Sequence, residues 1–173
     1  MDKLLKKYIK ENYIKPKSSK SFFKFKAKRN KQTYQTAFNN VECLCTSSLK
    51  RDVDFEQNLQ ETFVQHLFTI IDKKNLKDSQ VYKKANIDRK LFSKIRSNLN
   101  YKPSKNTLLA LATAFELDLD ETKVFLEKAG FSLSKSILTD VIVEYYIVNK
   151  QYDIFTINQS LDDYKLQILG SNI

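Results

Sequence analysis

Glycine and proline occur twice each in this chain of 173 residues, histidine and methionine once each, and tryptophan not at all. So little glycine and proline argues against a sheet-and-turn protein and predicts helices joined by short polar links. Two glycines cannot build a Gly-rich phosphate-cradling loop. No apolar run approaches the roughly 20 residues of a membrane span. The opening Met1-Asp2-Lys3-Leu4-Leu5-Lys6-Lys7 lacks the apolar stretch and small-residue cleavage site of a secretory signal. The expectation is a cytoplasmic protein with no membrane partner. The two cysteines, Cys43 and Cys45, are one residue apart. They cannot fill a tetrahedral zinc shell, and the lone His66 is expected on a helix face elsewhere. They read as reduced thiols, with a metal site shared between two chains as the alternative. No motif places a nucleophile or a second histidine beside His66. No catalytic constellation, metal or cofactor is expected, and the chain does not read as an enzyme.

What the chain does have is lysine and arginine, 30 in all against 20 aspartates and glutamates, for a net charge of +10. Residues 1–50 hold 13 Lys/Arg against 3 Asp/Glu, and residues 76–105 hold 9 against 2. Residues 106–173 reverse the balance with 5 against 10. Two basic zones and one acidic zone suggest a polyanion on one side and a solvated or protein-facing surface on the other.

Apolar positions Leu4, Leu5, Tyr8, Ile9 and Tyr13 have helical spacing, and Pro16 closes that pattern. Within 17–32, Phe23-Lys24-Phe25-Lys26-Ala27-Lys28 alternates with period two, so an extended chain would separate the phenylalanines from the lysines. Residues 1–57 read as a flexible basic arm, and residues 58–173 as a helical domain. Leu59, Phe63, Leu67, Ile70 and Ile71 predict a helix of about four turns. A second helix carries Val81, Tyr82 and Ala85 with Asp78 as its cap, and a turn follows at Asn86-Ile87. Asp88 caps a third helix from Arg89 to Ser97, with Leu91, Phe92 and Ile95 inward. Ser104 caps a fourth, with Leu108, Leu109, Leu111, Ala112 and Phe115 buried. A fifth starts at Leu117-Asp118-Leu119-Asp120-Glu121, carries Val124, Phe125 and Ala129, and stops at Gly130. A sixth (Ile137, Leu138, Val141, Ile142, Tyr145, Val148) and a seventh (Ile154, Phe155, Ile157, Leu161) must bury their apolar faces on the first five or on a second copy of the chain. Tyr145, Tyr146 and Tyr152 read as core residues rather than ligand contacts.

The run Leu76-Lys-Asp-Ser-Gln-Val-Tyr-Lys-Lys-Ala-Asn-Ile-Asp-Arg-Lys-Leu-Phe-Ser-Lys-Ile-Arg-Ser-Asn, followed by Lys102-Pro-Ser and by Leu108 to Phe115, resembles the XRE (lambda-repressor-like) helix-turn-helix family. Over residues 63–170, the segments Val81-Tyr-Lys-Lys-Ala-Asn-Ile, Leu119-Asp-Glu-Thr-Lys and Tyr152-Asp-Ile-Phe-Thr-Ile-Asn resemble a module found at the C-terminus of some bacterial macro-domain proteins. That likeness implies a recognition or targeting module and brings no catalytic residues. Three positions depart from the XRE pattern. Tyr82 replaces a small alanine at the helix crossing, Asp78 replaces a phosphate-facing glutamine, and Asn86 replaces the turn glycine. Asparagine tolerates the left-handed conformation.

The resemblance implies an all-α fold: a lambda-repressor-like five-helix domain with two additional C-terminal helices and a basic N-terminal arm. It implies binding to double-stranded DNA, as a bacterial or phage transcription regulator would, with the third helix in the major groove. The candidate contacts are Arg89, Lys90, Ser93, Lys94, Arg96, Ser97 and Lys102, joined by Lys24, Lys26, Lys28 and Arg29 from the arm. Such proteins work as homodimers on half-sites about 34–36 Å apart, and the sixth helix is the expected dimer surface. The rival expectation is a non-catalytic protein-interaction module, such as a phage-type inhibitor or a defence-system adaptor. There the helices are scaffold and the arm grips an acidic protein. The arm's Phe22, Phe23 and Phe25 could instead stack on single-stranded bases, lie on an anionic surface, or pack on the helical domain.

Overall fold

The computed structural model describes residues 3–16 and 61–170. Among the described residues the fold is all-α, with eight helices and no strand. They are α1 (Lys3–Asn12), α2 (Phe63–Lys73), α3 (Asp78–Lys84), α4 (Arg89–Ser97), α5 (Lys105–Ala114), α6 (Leu119–Lys128), α7 (Leu138–Val148) and α8 (Ile154–Asp163). No described helix is long and apolar enough to cross a membrane.

The helix starts follow side-chain caps. Thr62 and Gln65 close a reciprocal capping box on α2, so that helix begins at Phe63, and the expected Leu59 lies outside the described residues. Asp88 and Ser104 cap α4 and α5 as their sequence positions predict, and Asp118 caps α6. Asp153 caps α8; hydrogen bonds from the Thr156 hydroxyl, then from its amide, hold this carboxyl below the usual range. The expected cap at Asp78 is corrected. Lys77 occupies the N-cap position, and its N–H donates to Gln80 Oε1 at 2.9 Å. Asp78 is the first residue of the helix.

Helix ends share one device. Asn75, Asn86, Glu116, Gly130, Lys150 and Lys165 all have φ between 51° and 78°. After each, the next amide returns to a carbonyl five residues back, as Ile87 N–H does to Tyr82 O and Gln151 N–H to Tyr146 O. These are Schellman ends, which satisfy the orphan carbonyls of the last turn. Of helices α2 to α8, only α4 leaves its C-terminus extended, at Asn98.

The core centres on α5, where every residue from Thr107 to Ala114 is buried. Helices α3, α6 and α8 pack on α5, and α7 packs on α6 and α8. The remaining face of α7 is covered by α1. Leu5 is fully buried, the Tyr8 and Tyr145 rings lie 5.2 Å apart, and Ile14 N–H donates to Lys135 O. The segment expected as a single arm therefore divides. Its first helix belongs to the same compact unit as residues 61–170. This corrects the expectation of a dimer surface on α7. Val141, Ile142, Val143, Tyr145, Tyr146 and Ile147 are buried within this chain. Four residues expected to face inward are exposed instead: Val124 on α6 at 45%, Ile137 at the N-cap of α7 at 45%, Val148 at its last position at 50%, and Phe155 on α8 at 70%.

A buried ion pair ties α5 to α7. Asp140 is 1% exposed; its Oδ2 receives Lys105 Nζ at 2.5 Å and the Ser134 N–H at 2.8 Å. A carboxylate so deep in the protein is tolerated only because both a cation and an amide meet it.

Candidate nucleic-acid interface

Nine cations fall between residues 76 and 105, and their local spacing suggests one basic surface. The fold sorts them into two sets. Three are turned to internal partners. Lys105 meets buried Asp140. Lys84 Nζ meets Glu116 Oε1 at 2.5 Å and holds that carboxyl below its usual range, by hydrogen bonding first and charge second. Arg96 pairs with Asp78, and its guanidinium lies 5.2 Å from the Phe68 ring centre. Arginine suits this double engagement because its planar head can face a carboxylate at the edge and a ring at the face.

The second set has no ion pair among the described residues and centres on α4. Arg89, Lys90 and Lys94 are exposed. Phe92 and Ile95 are buried beneath them and Leu91 is half-buried, so the helix is held by one face and presents the other. Lys90, Lys94 and Ser97 follow at i, i+4 and i+7, which aligns them along the outer surface. Arg89, Ser93 and Arg96 form the adjacent row, beside a hollow of about 310 Å³ that α3 completes with Asp78, Ser79 and Tyr82. Lys94 Nζ is 5.0 Å from the Tyr101 ring centre, and the Ser97 hydroxyl donates to Lys94 O at 3.3 Å. Lys102 is exposed on the link from α4 to α5. Lys24, Lys26, Lys28 and Arg29 lie outside the described residues.

Both carboxylates near this surface are occupied. Asp88 Oδ1 accepts the Lys90 N–H at 2.7 Å, and Asp78 holds Arg96. The exposed face of α4 therefore offers guanidinium, ammonium and hydroxyl groups, a set suited to phosphate oxygens and base edges. The three positions that depart from the XRE pattern each have a local account. Tyr82 packs its ring 6.2 Å from Phe92, Asp78 is paired, and Asn86 adopts φ 51° at the α3 terminus.

Away from this surface, His66 Nδ1 lies 3.1 Å from Glu61 Oε2, and the Thr69 hydroxyl donates to the same carboxylate. Those bonds, Thr69 first and His66 second, hold Glu61 below its usual range. Among the described residues no cluster of three or more His, Cys, Asp or Glu could hold a metal ion. Cys43 and Cys45 lie outside them.

Sequence reasoning missed the three internal pairs. Their partners are 18, 32 and 35 residues apart, too far for helical spacing to signal them. No protein-family model, no curated protein and no solved structure matches this chain.

Proposed function

We propose that α3 and α4 form a helix-turn-helix of the lambda-repressor-like kind and that this chain binds double-stranded DNA as a cytoplasmic, non-enzymatic regulator. In this reading α4 enters the major groove. Arg89 and Lys90, at its N-terminal turn, meet base edges or phosphates, and Lys94 and Lys102 meet phosphates. Ser93 and Ser97 add hydroxyl contacts. The observation that carries the reading is the outer face of α4, where Arg89, Lys90 and Lys94 stand exposed while the neighbouring carboxylates, Asp78 and Asp88, already have partners.

The test is selection of a DNA sequence by the full chain, followed by titration across salt with the double variant Arg89→Ala/Lys94→Ala. Wild type should show a log K against log salt slope of about −0.9 for each phosphate it neutralises. The variant should lose about 1–3 kcal/mol for a base-contacting arginine, with relaxed specificity. Salt-independent binding would remove the proposal. A second reading, a protein-interaction scaffold, draws on the pairing of Asp78 with Arg96 and the contact of Tyr82 with Phe92, which tie α3 to α4 and engage one of the candidate DNA contacts within the chain. It expects a protein partner whose binding is unchanged in the double variant.

A further inference from the structure

We propose that residues 169 and 170 act as a clamp that positions the turn between α3 and α4 and, through it, the N-terminus of α4. The chain leaves α8 through a left-handed Lys165 and doubles back, with Leu166 N–H returning to Leu161 O. Leu169 then enters the core at 0% exposure. The Asn158 side chain grips its backbone at both ends: Nδ2 donates to Leu169 O at 3.1 Å, and Oδ1 accepts from Leu169 N–H at 2.8 Å. This fixes the next residue, Gly170, against the turn that follows α3. A Cβ at position 170 would fall 2.6 Å from the carbonyl oxygen of Asn86 and also against that of Ala85. Real Cβ atoms do not approach backbone so closely.

The chain's economy with glycine sharpens this. Five non-glycine residues among those described take positive φ at helix ends. Positive φ alone therefore does not demand glycine in this protein. Gly130 shows the contrast, since a Cβ there would meet nothing within 4 Å. At 170 the demand is the contact with the turn. That turn matters because α4 packs chiefly on α3 and its C-terminus has no Schellman end. Ala85 and Ile87 anchor the turn from within, at 0% and 5% exposure, and Gly170 closes it from the other side. Gly170 and Asn158 are thus positioning residues for the surface that carries Arg89 and Lys90.

The test compares full-length Gly170→Ala, Asn158→Ala and Gly130→Ala by amide chemical shift and hydrogen exchange without DNA. Gly170→Ala crowds the clamp, Asn158→Ala loosens it without adding bulk, and Gly130→Ala imposes backbone strain elsewhere. The first two should shift the amides of Ile87, Asp88, Arg89 and Lys90, and the Ile87 amide should exchange about tenfold faster, the scale expected of a disturbed close contact. Gly130→Ala should leave those amides unchanged. Changes confined to residues 158–170, or equal changes in Gly130→Ala, overturn the clamp. If Gly170→Ala fails to fold, Asn158→Ala against Gly130→Ala decides the matter. The consequence for binding rests on α4 as the DNA-facing helix and is read separately, as an affinity for the selected DNA about tenfold weaker in the clamp variants. A moved turn in a chain that binds no DNA upholds the clamp and rejects only that role for α4.

Discussion

Helices α4 and α7 differ in length by two residues and in almost everything else. On α4, six of nine side chains are exposed and only Phe92 and Ile95 are buried. On α7, seven of eleven are buried and only Val148 is exposed. One is an amphipathic helix laid on the surface, and the other is apolar nearly all round, as interior helices are. The contrast extends to charge. On α4, Arg89, Lys90 and Lys94 face outward and only Arg96 turns to a partner within the chain, whereas the buried carboxylate of α7, Asp140, draws Lys105 inward. A basic sequence zone is therefore not a basic surface until its internal partners have been removed from the count.

The largest expected effect comes from breaking the anchor of α7. Asp140→Ala leaves Lys105 without its partner and the Ser134 amide without its acceptor. Removing one member of a buried pair costs about 3–5 kcal/mol, and the lower end applies because the Lys105 side chain keeps 19% exposure. Urea denaturation measures it, and a loss below about 1 kcal/mol would mean the pair behaves as a surface pair. Next is the cover over α7. Leu5→Ala empties a fully buried position in α1 and should cost about 2–3 kcal/mol, the low end for Leu→Ala, because a terminal helix can undock. If α1 is the cover, the variant should also expose α7 and raise dye binding or self-association by light scattering. Unchanged stability would show that α1 contributes nothing to the fold.

Much of this contrast is legible in the sequence where its signals are local. Asp88 and Ser104 mark their helix starts because a capping oxygen and the backbone N–H that donates to it are two or three residues apart. Phe92, Ile95, Leu108 and Phe115 are identified as core by spacing alone. The misses are long-range. Asp78 looks like a cap because aspartate at a helix start commonly is one, but Arg96 competes for it from the next helix. Periodicity finds the apolar face of α7 but cannot say that α1, more than 120 residues earlier, will cover it. Gly170 carries no local signature, because the turn it abuts lies some 84 residues away in the chain.

The next effect lies on the surface beside α4. Asp78→Asn keeps the shape of the side chain and frees Arg96 from its carboxylate. Both side chains are substantially exposed, so stability should fall by less than about 1 kcal/mol. If the outer face of α4 meets DNA, the freed guanidinium can neutralise one more phosphate, and the salt slope should steepen by about 0.9. An unchanged slope would mean that Arg96 belongs to the fold alone, through Asp78 and Phe68.

The smallest expected effect lies at the end of α7. Lys150 takes φ 55° to complete the Schellman end, with its N–H on Ile147 O and the Gln151 N–H on Tyr146 O. A residue with a Cβ is strained in that conformation by about 1–2 kcal/mol, whereas glycine is not. Glycine also loses more freedom on folding, which cancels part of the gain. Lys150→Gly should therefore stabilise the protein by about 0.5–1 kcal/mol in denaturant titration. The same substitution at Asn98, where α4 ends in extended backbone, meets no left-handed strain to relieve. There glycine only adds freedom to the unfolded chain, so Asn98→Gly should be neutral or destabilising. Equal gains at both sites would show that helix-end strain does not separate the buried helix from the exposed one.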